Sequence, residues 1–214
     1  MALIPERTVE RLSLYRRLLE RRRASADRFV YSHELARMAC VTPAQVRRDL
    51  MAIGYSGSTK RGYRVSDLVE SVGRVLDGSD VQKAALVGVG NLGRAILAYF
   101  SGRRPGLRID AAFDSDPRKT GRVIGGCRCH GIGEMDGIVA EQGICVGIVC
   151  VPADVAQATA DLLVEAGVRG ILNFAPVPLR VPDSVYLENR DMTTSLEKVA
   201  YFARMGGEDG DDER

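Results

Sequence analysis

No apolar run in this 214-residue chain approaches the roughly 18 residues needed to cross a bilayer. The basic stretch at residues 1–17 lacks the long apolar core of a secretory signal, so a cytoplasmic protein is expected. Cysteine is sparse and odd in number: Cys40, Cys127, Cys129, Cys145 and Cys150 make five, which argues against a disulfide framework. Cys145 and Cys150 fall in the apolar run at residues 144–151, where thiols behave as small hydrophobes. The run Cys127-Arg128-Cys129-His130 offers ligand types for zinc but lacks a fourth ligand and the paired spacing of a structural site, so no metal is expected there. Histidine is scarcer still, with only His33 and His130.

What is present is the composition of an ordinary globular protein, 45% hydrophobic and 27% charged. The net charge of +2 hides an asymmetry. Residues 1–64 carry 14 Lys/Arg against 6 Asp/Glu, a balance of +8, and the remainder carries 16 against 22, a balance of −6. A basic module joined to an acidic one points to a polyanion that touches only the first; a solvated basic helix face is the plainer alternative.

Within the basic part, Val9, Leu12, Tyr15, Leu18 and Leu19 recur at helical spacing and predict an amphipathic first helix. A second helix is predicted from Ser32 as N-cap, with Leu35, Met38 and Ala39 inward and a turn at Cys40-Val41. Thr42-Pro43-Ala44-Gln45 reads as a capping box that opens a third helix, with Pro43 at its first position. Val46, Leu50 and Ile53 line its buried face, Gly54 stops it, and Gln45, Arg47, Arg48 and Asp49 are expected toward solvent. Two short helices across a tight turn match a helix-turn-helix. Gln45 suits an adenine edge and Arg47 a guanine edge, while Arg48 suits either a base or a phosphate. The glycine-rich segment at residues 55–65 reads as a wing, with Lys60 and Arg61 near its tip for a minor groove or its phosphates. Thr42, Gln45, Arg47, Arg48, Lys60 and Arg61 are thus the candidate DNA-binding residues. A small helical domain that binds protein is the alternative.

A connecting helix from Ser66 to Gly78 leads to a buried strand at residues 84–87. It runs into Gly88-Val89-Gly90-Asn91-Leu92-Gly93 and then a helix. In that setting the glycines have separate roles: Gly88 for the tight turn, Gly90 for approach of a pyrophosphate, Gly93 for helix–strand packing. The helix N-terminus offers N–H groups and the positive end of its dipole. A second strand ends at Asp114, 21 residues past Gly93, where an acid meets ribose hydroxyls and favours NAD(H) over NADP(H). Arg118 and Lys119 nearby keep NADP(H) open. Strands at residues 144–151, 168–174 and 185–187, with a helix at 154–166, continue the βα alternation. Val151, Pro152, Asn173, Phe174 and Ala175, at strand carboxyl ends, are further candidate cofactor contacts.

Thr194-Ser195-Leu196-Glu197 reads as another capping box. Leu196, Val199, Ala200, Phe202 and Ala203 give the last helix an apolar face, which needs a surface in its own domain or in a second subunit. Residues 206–214 read as a disordered acidic tail. The expected organisation is a winged-helix domain with connecting helix at 1–79, a doubly wound, mostly parallel Rossmann domain at 80–190, a C-terminal helix at 191–205, and the tail.

The order of these modules resembles the bacterial redox-sensing repressor family known as Rex. The resemblance is carried by Val41-Thr42-Pro43-Ala44-Gln45-Val46-Arg47-Arg48-Asp49-Leu50, the glycine turn through Arg94, and Phe113-Asp114-Ser115-Asp116-Pro117. It continues in Gly170-Ile171-Leu172-Asn173-Phe174-Ala175-Pro176 and Asn189-Arg190-Asp191. It implies a homodimer whose C-terminal helix is exchanged between the partner's two domains, and repression at palindromic double-stranded operator DNA that ends when NADH rises against NAD+. By motif position it also implies that Tyr99 and Asp191 lie near the nicotinamide, with Arg17 as ionic partner of Asp191. Met192 departs from a larger or more branched apolar residue of the family, and the Cys-Arg-Cys-His run replaces a plainer strand.

Two other functions fit parts of the pattern. An NAD-dependent oxidoreductase would need a substrate pocket and usually a proton relay, for which neither histidine is well placed. A DNA-binding protein using its Rossmann fold only to dimerise is the other, since fold alone does not establish a ligand.

Overall fold

The computed structural model describes residues 4–22, 29–58, 61–102 and 106–208. The chain divides into two compact units, Met1–Asp80 and Val81–Arg214. No helix among the described residues is long and apolar enough to cross a membrane.

The first unit is three helices, a two-stranded wing and a fourth helix. Helix α1 (Glu6–Arg22) buries Thr8, Leu12, Tyr15 and Leu19. Val9, expected inward, is exposed, because the buried stripe runs one position ahead of it through Thr8. Strand β1 (Phe29–Val30) precedes α2 (Ser32–Ala39). Ser32 is the first helical residue, not the cap: Glu34 Oε2 accepts from the Tyr31 N–H at 2.7 Å. Cys40 ends α2 in the left-handed region at φ 54°, turning the chain into α3 (Pro43–Ala52). Thr42 Oγ1 accepts from the Gln45 N–H at 3.1 Å, one half of the predicted box. The other half is absent, because the Gln45 side chain turns to Asp49 instead.

Asp49 corrects the sequence reading most sharply. Expected toward solvent, it is only 2% exposed and binds α1. Arg11 Nε and Nη2 donate to its two oxygens at 2.7 and 2.8 Å, Tyr15 Oη at 2.9 Å and Gln45 Nε2 at 2.8 Å. Burial alone would raise this carboxyl, but the hydrogen bonds from Arg11, Gln45 and Tyr15 outweigh it and hold Asp49 below the usual carboxylate range. A depressed folded value means that the unfolded chain binds the proton more readily, so the stabilisation is complete above about pH 5, begins to be lost as pH falls below about 4, and is gone once pH has fallen through the lowered folded value. Urea unfolding of the full chain followed by circular dichroism should therefore show stability falling over that window. The fall should be shallower in Asp49→Asn, and an unchanged slope would remove Asp49 from the acid response.

Strand β2 (Tyr63–Arg64) pairs antiparallel with β1. Ser58 and Gly62 bridge the hairpin through reciprocal backbone bonds of 3.0 and 2.8 Å. Gly62 sits at φ 72°, and a Cβ there would lie 2.6 Å from the Val30 carbonyl, so the wing requires glycine at this point. Helix α4 (Val65–Asp77) follows, buries Leu68 and Val72, and stops at Gly78. Arg16 Nη1 reaches Asp77 at 2.6–2.7 Å and ties α1 to α4.

The second unit is a seven-stranded sheet. Its strands are β3 (Gln82–Val87), β4 (Leu107–Asp114), β5 (Val123–Ile124), β6 (Cys127–Gly131), β7 (Val146–Val149), β8 (Gly170–Asn173) and β9 (Tyr186–Asn189), in the order β5-β6-β4-β3-β7-β8-β9. All neighbours are parallel except β5 against β6. Helix α5 (Asn91–Phe100) follows β3, α6 (Met135–Gln142) follows β6, and α7 (Ala153–Glu165) follows β7. Helices cover both faces: Leu86, Ile96, Leu97, Cys127 and Cys129 pack on one, and Val87, Phe113, Val139, Val149 and Leu163 on the other. Residues 84–87 are buried throughout, as a central parallel strand demands.

Helix α8 (Met192–Glu208) ends the described chain. It begins two residues before the predicted box, because Asp191 is the cap: its carboxylate accepts from the Thr194 N–H at 3.0 Å and from the Thr194 hydroxyl. Gly206, Gly207 and Glu208, assigned by sequence to a disordered tail, continue the helix. The rest of that tail lies outside the described residues.

Candidate cofactor turn and nucleic-acid face

The strand order reverses between β3 and β7, and the crevice outside their carboxyl ends is where an open α/β sheet takes ligands. The turn at 88–93 fills the entrance with three glycines in different circumstances. Gly88 has φ 95°, and a Cβ would fall 2.4 Å from the Cys150 carbonyl. At Gly93 a Cβ would fall 2.1 Å from the Gly88 carbonyl, so α5 can pack on the turn only without a side chain. Gly90 is the reverse: nothing lies within 4 Å of its Cβ position, and φ is an ordinary −82°. Its bareness serves no contact within the described chain and leaves the backbone open to a ligand. Gly90 is also the N-cap of α5, with no side chain capping it, so the N–H groups of Asn91, Leu92 and Gly93 head an uncapped helix.

Asp114 ends β4 beside this turn, nearly buried. Its Oδ2 accepts from the Val89 N–H and from Lys119 Nζ, both at 2.8 Å, and its Oδ1 from the Asp116 N–H at 2.9 Å. Burial works against this carboxylate, yet Lys119 and the two backbone donors keep it below the usual range. Arg118 is bonded to Asp116. Both cations that follow β4, Arg118 and Lys119, are therefore matched by an acid.

Val151 and Pro152 stand past the end of β7, and Pro152 begins α7 with no side-chain cap. Asn173 ends β8 with its side chain fully used: Nδ2 donates to the Val177 carbonyl and to Asn189 Oδ1, both at 2.8 Å, and Oδ1 accepts from the Ala175 N–H at 2.9 Å. It shapes the loop carrying Phe174 and Ala175. Tyr99 is half exposed on α5, packed edge-on against Phe100 at 5.2 Å. Met192 opens α8, 64% exposed, and Arg17 is exposed on α1.

Strand alternation sends Cys127 and Cys129 to the α5 face, while His130 packs against Phe113 at 5.8 Å on the opposite face. The four-residue run cannot converge on one ion. Burial pushes the Cys127 thiol up to about 11 and the Cys150 thiol up to about 12, which leaves little thiolate at neutral pH.

In the first unit, α3 exposes Ala44, Arg47, Arg48 and Met51, spaced along one helical face. Met51 is 71% exposed and lines one cavity together with Arg47. Sequence reasoning missed Ala44 and Met51, although the i, i+3, i+4, i+7 spacing marked them, and it placed the half-buried Gln45 too far outward. Arg47 Nη1 donates to Ser32 Oγ at 3.2 Å. It lines a cavity of about 380 Å³ between α3 and the wing, with Tyr31, Tyr55, Ser56 and Ser58. Arg61 is exposed at the hairpin, and Lys60 lies outside the described residues.

A winged helix followed by a dinucleotide-type Rossmann domain defines a ligand-responsive DNA-binding regulator. Residues 3–50 match the family model described as "Putative DNA-binding protein N-terminus", and residues 79–177 match the CoA binding domain. Coenzyme A and NAD share an adenosine diphosphate portion, the part such a glycine turn holds. The chain is 39% identical to the redox-sensing transcriptional repressor Rex of Syntrophobacter fumaroxidans, over 96% of this chain and 98% of that one. It is 41% identical to Rex of Listeria monocytogenes, over 93% of each. The crystal structure of RSP, a Rex-family repressor, matches at 34% identity with a TM-score of 0.84, covering 98% of both chains. RSP in complex with NAD+ and operator DNA gives 0.87, and RSP with NADH gives 0.83. The chain belongs to the Rex family of redox-sensing transcriptional repressors. That membership answers the oxidoreductase alternative.

Proposed function

We propose that this protein represses transcription in the cytoplasm as a homodimer on palindromic operator DNA, and that NADH binding to its Rossmann domain releases it. The observation that carries the reading is Gly90, open and uncapped at the head of α5, in a chain whose other unit is a winged helix. The turn at 88–93 and the uncapped α5 would hold the pyrophosphate, and Asp114 the adenosine ribose. Val151, Pro152 and the loop of Phe174 and Ala175 would line the crevice. NAD supplies a nicotinamide whose charge differs between its oxidised and reduced forms. A 2′-phosphate would meet Asp114 and Asp116, and Lys119 and Arg118 already serve those acids, so NAD(H) is preferred to NADP(H).

The apolar side chains of α8 stand exposed, as a helix awaiting a second copy of the chain would leave them. By motif position Arg17, Tyr99, Asp191 and Met192 form the switch. Asp191 also caps α8, so a change at its carboxylate reaches the start of the dimerisation helix directly. RSP has been crystallised both with NAD+ and operator DNA and with NADH, which supports a cofactor-dependent grip.

A ligand shifts an equilibrium only through its differential affinity for the two states. Lowering operator binding to about 1% of its open-state level takes roughly 2.7 kcal/mol of such preference. Calorimetric titration with NADH and NAD+, then anisotropy on an operator duplex at saturating levels of each, tests the reading. NADH should dissociate the complex and NAD+ should leave it intact. Indifference of DNA binding to saturating NADH would refute it.

A further inference from the structure

The recognition helix contains a relay of three side chains in consecutive contact. Asp49 is buried and acceptor-only, so it can meet Gln45 only through the amide nitrogen. This fixes the amide orientation that a free glutamine leaves open, and it turns Gln45 Oε1 outward. That oxygen accepts from Arg48 Nη2 at 2.7 Å. Asp49 is itself immobilised by Arg11 and Tyr15 of α1, neither of which lies on α3. A rigid point on the neighbouring helix thus sets the direction of an exposed guanidinium two links away.

We infer that Asp49 and Gln45 are positioning residues that act through Arg48, and that Arg48 is the side chain on α3 that reads a base edge. This rests on the repressor function proposed above and replaces the expectations that Gln45 reads adenine and Arg47 guanine. A bidentate adenine contact needs the oxygen and an amide hydrogen of Gln45 together; here the oxygen faces Arg48 and the nitrogen faces Asp49. Arg48 is exposed and spends one Nη2 donor on Gln45, and its fork matches the O6 and N7 acceptors of guanine. Orientation matters because a guanidinium left to rotate gives up much of its discrimination while keeping its charge. Arg47 has a different setting, bonded to the Ser32 hydroxyl in the cavity next to the wing that Ser58 also lines. Among the tyrosines and Met51 that line much of that concavity, Arg47 and the serine hydroxyls are the groups suited to a phosphate.

The test is selection of duplexes from a random-sequence pool by the full-length protein, followed by affinity measurements on the selected duplex and its single-base-pair variants. Wild type should enrich a palindrome. Arg48→Ala should flatten preference at one base pair per half-site, and Gln45→Leu, which leaves the Arg11–Asp49 pair intact, should flatten the same one. Gln45→Leu should reduce discrimination there about tenfold and add nothing in the Arg48→Ala background. Asp49→Asn, compared at a temperature where circular dichroism shows it folded, should lose preference at that base pair beyond any general weakening. Arg47→Ala should weaken all duplexes alike and lower the salt slope by about one charge. The inference is overturned if Gln45→Leu relaxes a different base pair, if the Gln45 and Arg48 effects add, or if Asp49→Asn weakens every duplex equally with discrimination intact. Absence of any enriched motif for wild type would overturn the repressor reading itself.

Discussion

A Gly90→Val variant should fold like the wild-type protein, lose NADH affinity by at least about a hundredfold, and stay on operator DNA when NADH is added. Folding is expected to survive because the Cβ position is empty to 4 Å and φ −82° suits any residue. Cofactor binding is expected to fail because the isopropyl group would occupy the space a pyrophosphate needs above the first N–H groups of α5. A hundredfold loss is about 2.7 kcal/mol, modest for blocked phosphate contacts with several backbone donors. Gly93→Ala is the informative contrast. Its Cβ would strike the Gly88 carbonyl at 2.1 Å, so loss of binding there should come with a lowered melting temperature. Differential scanning calorimetry beside NADH titration separates the two variants. Wild-type NADH affinity in Gly90→Val would remove the glycine turn from the cofactor site.

The second large effect belongs to α8. Leu196, Val199 and Phe202 are each about two-thirds exposed along this helix (70, 66 and 68%). Burying a large apolar side chain contributes about 1.5–3 kcal/mol, so three such residues from each protomer would stabilise a dimer strongly. Leu196→Asp combined with Phe202→Asp should give a monomer by sedimentation, with Rossmann-domain secondary structure retained. Operator affinity should then fall by a factor on the order of 10² to 10⁴, the advantage gained when two half-site contacts are linked. A doubly substituted chain that still sediments as a dimer and binds operator normally would show that the dimer is built elsewhere.

The elements that could be read from the sequence were those whose signals are local. The glycine turn lies between a fully apolar strand and a helix, and the clash that demands Gly93 is with the nearby Gly88 carbonyl, although the one that demands Gly88 is with Cys150 far along the chain. Thr42-Pro43 placed the start of α3 correctly for the same reason. Asp49 failed because polarity was taken for exposure. Its burial depends on Arg11 and Tyr15, 38 and 34 residues earlier in the chain, and no local pattern on α3 announces them. Gln45 failed with it, since its side chain follows Asp49. The start of α8 was misplaced because two overlapping caps were available, and the acid at 191 reached the free N–H groups first. Strand β5 went unassigned although Gly125-Gly126, at φ 59° and 83°, is a strong hairpin signal. Helix α6 was missed for a plainer reason: Gly137 interrupts a short and weakly amphipathic segment.

The ion pairs that α1 makes with its neighbours, among them Arg22 with Glu34 of α2, have a mechanical consequence. Arg11 fastens α1 to the recognition helix through Asp49, and Arg16 fastens it to α4 through Asp77. With Asp49 held by α1 and α1 held to α4, α3 cannot roll or slide by itself without breaking a buried carboxylate's bonds. The cheapest motion available to the DNA-reading unit is translation or rotation as a single block. In the homodimer proposed above, a metabolic signal from outside this unit would therefore act like a caliper adjustment: each reading head would keep its shape, and only the gap between the two heads would change.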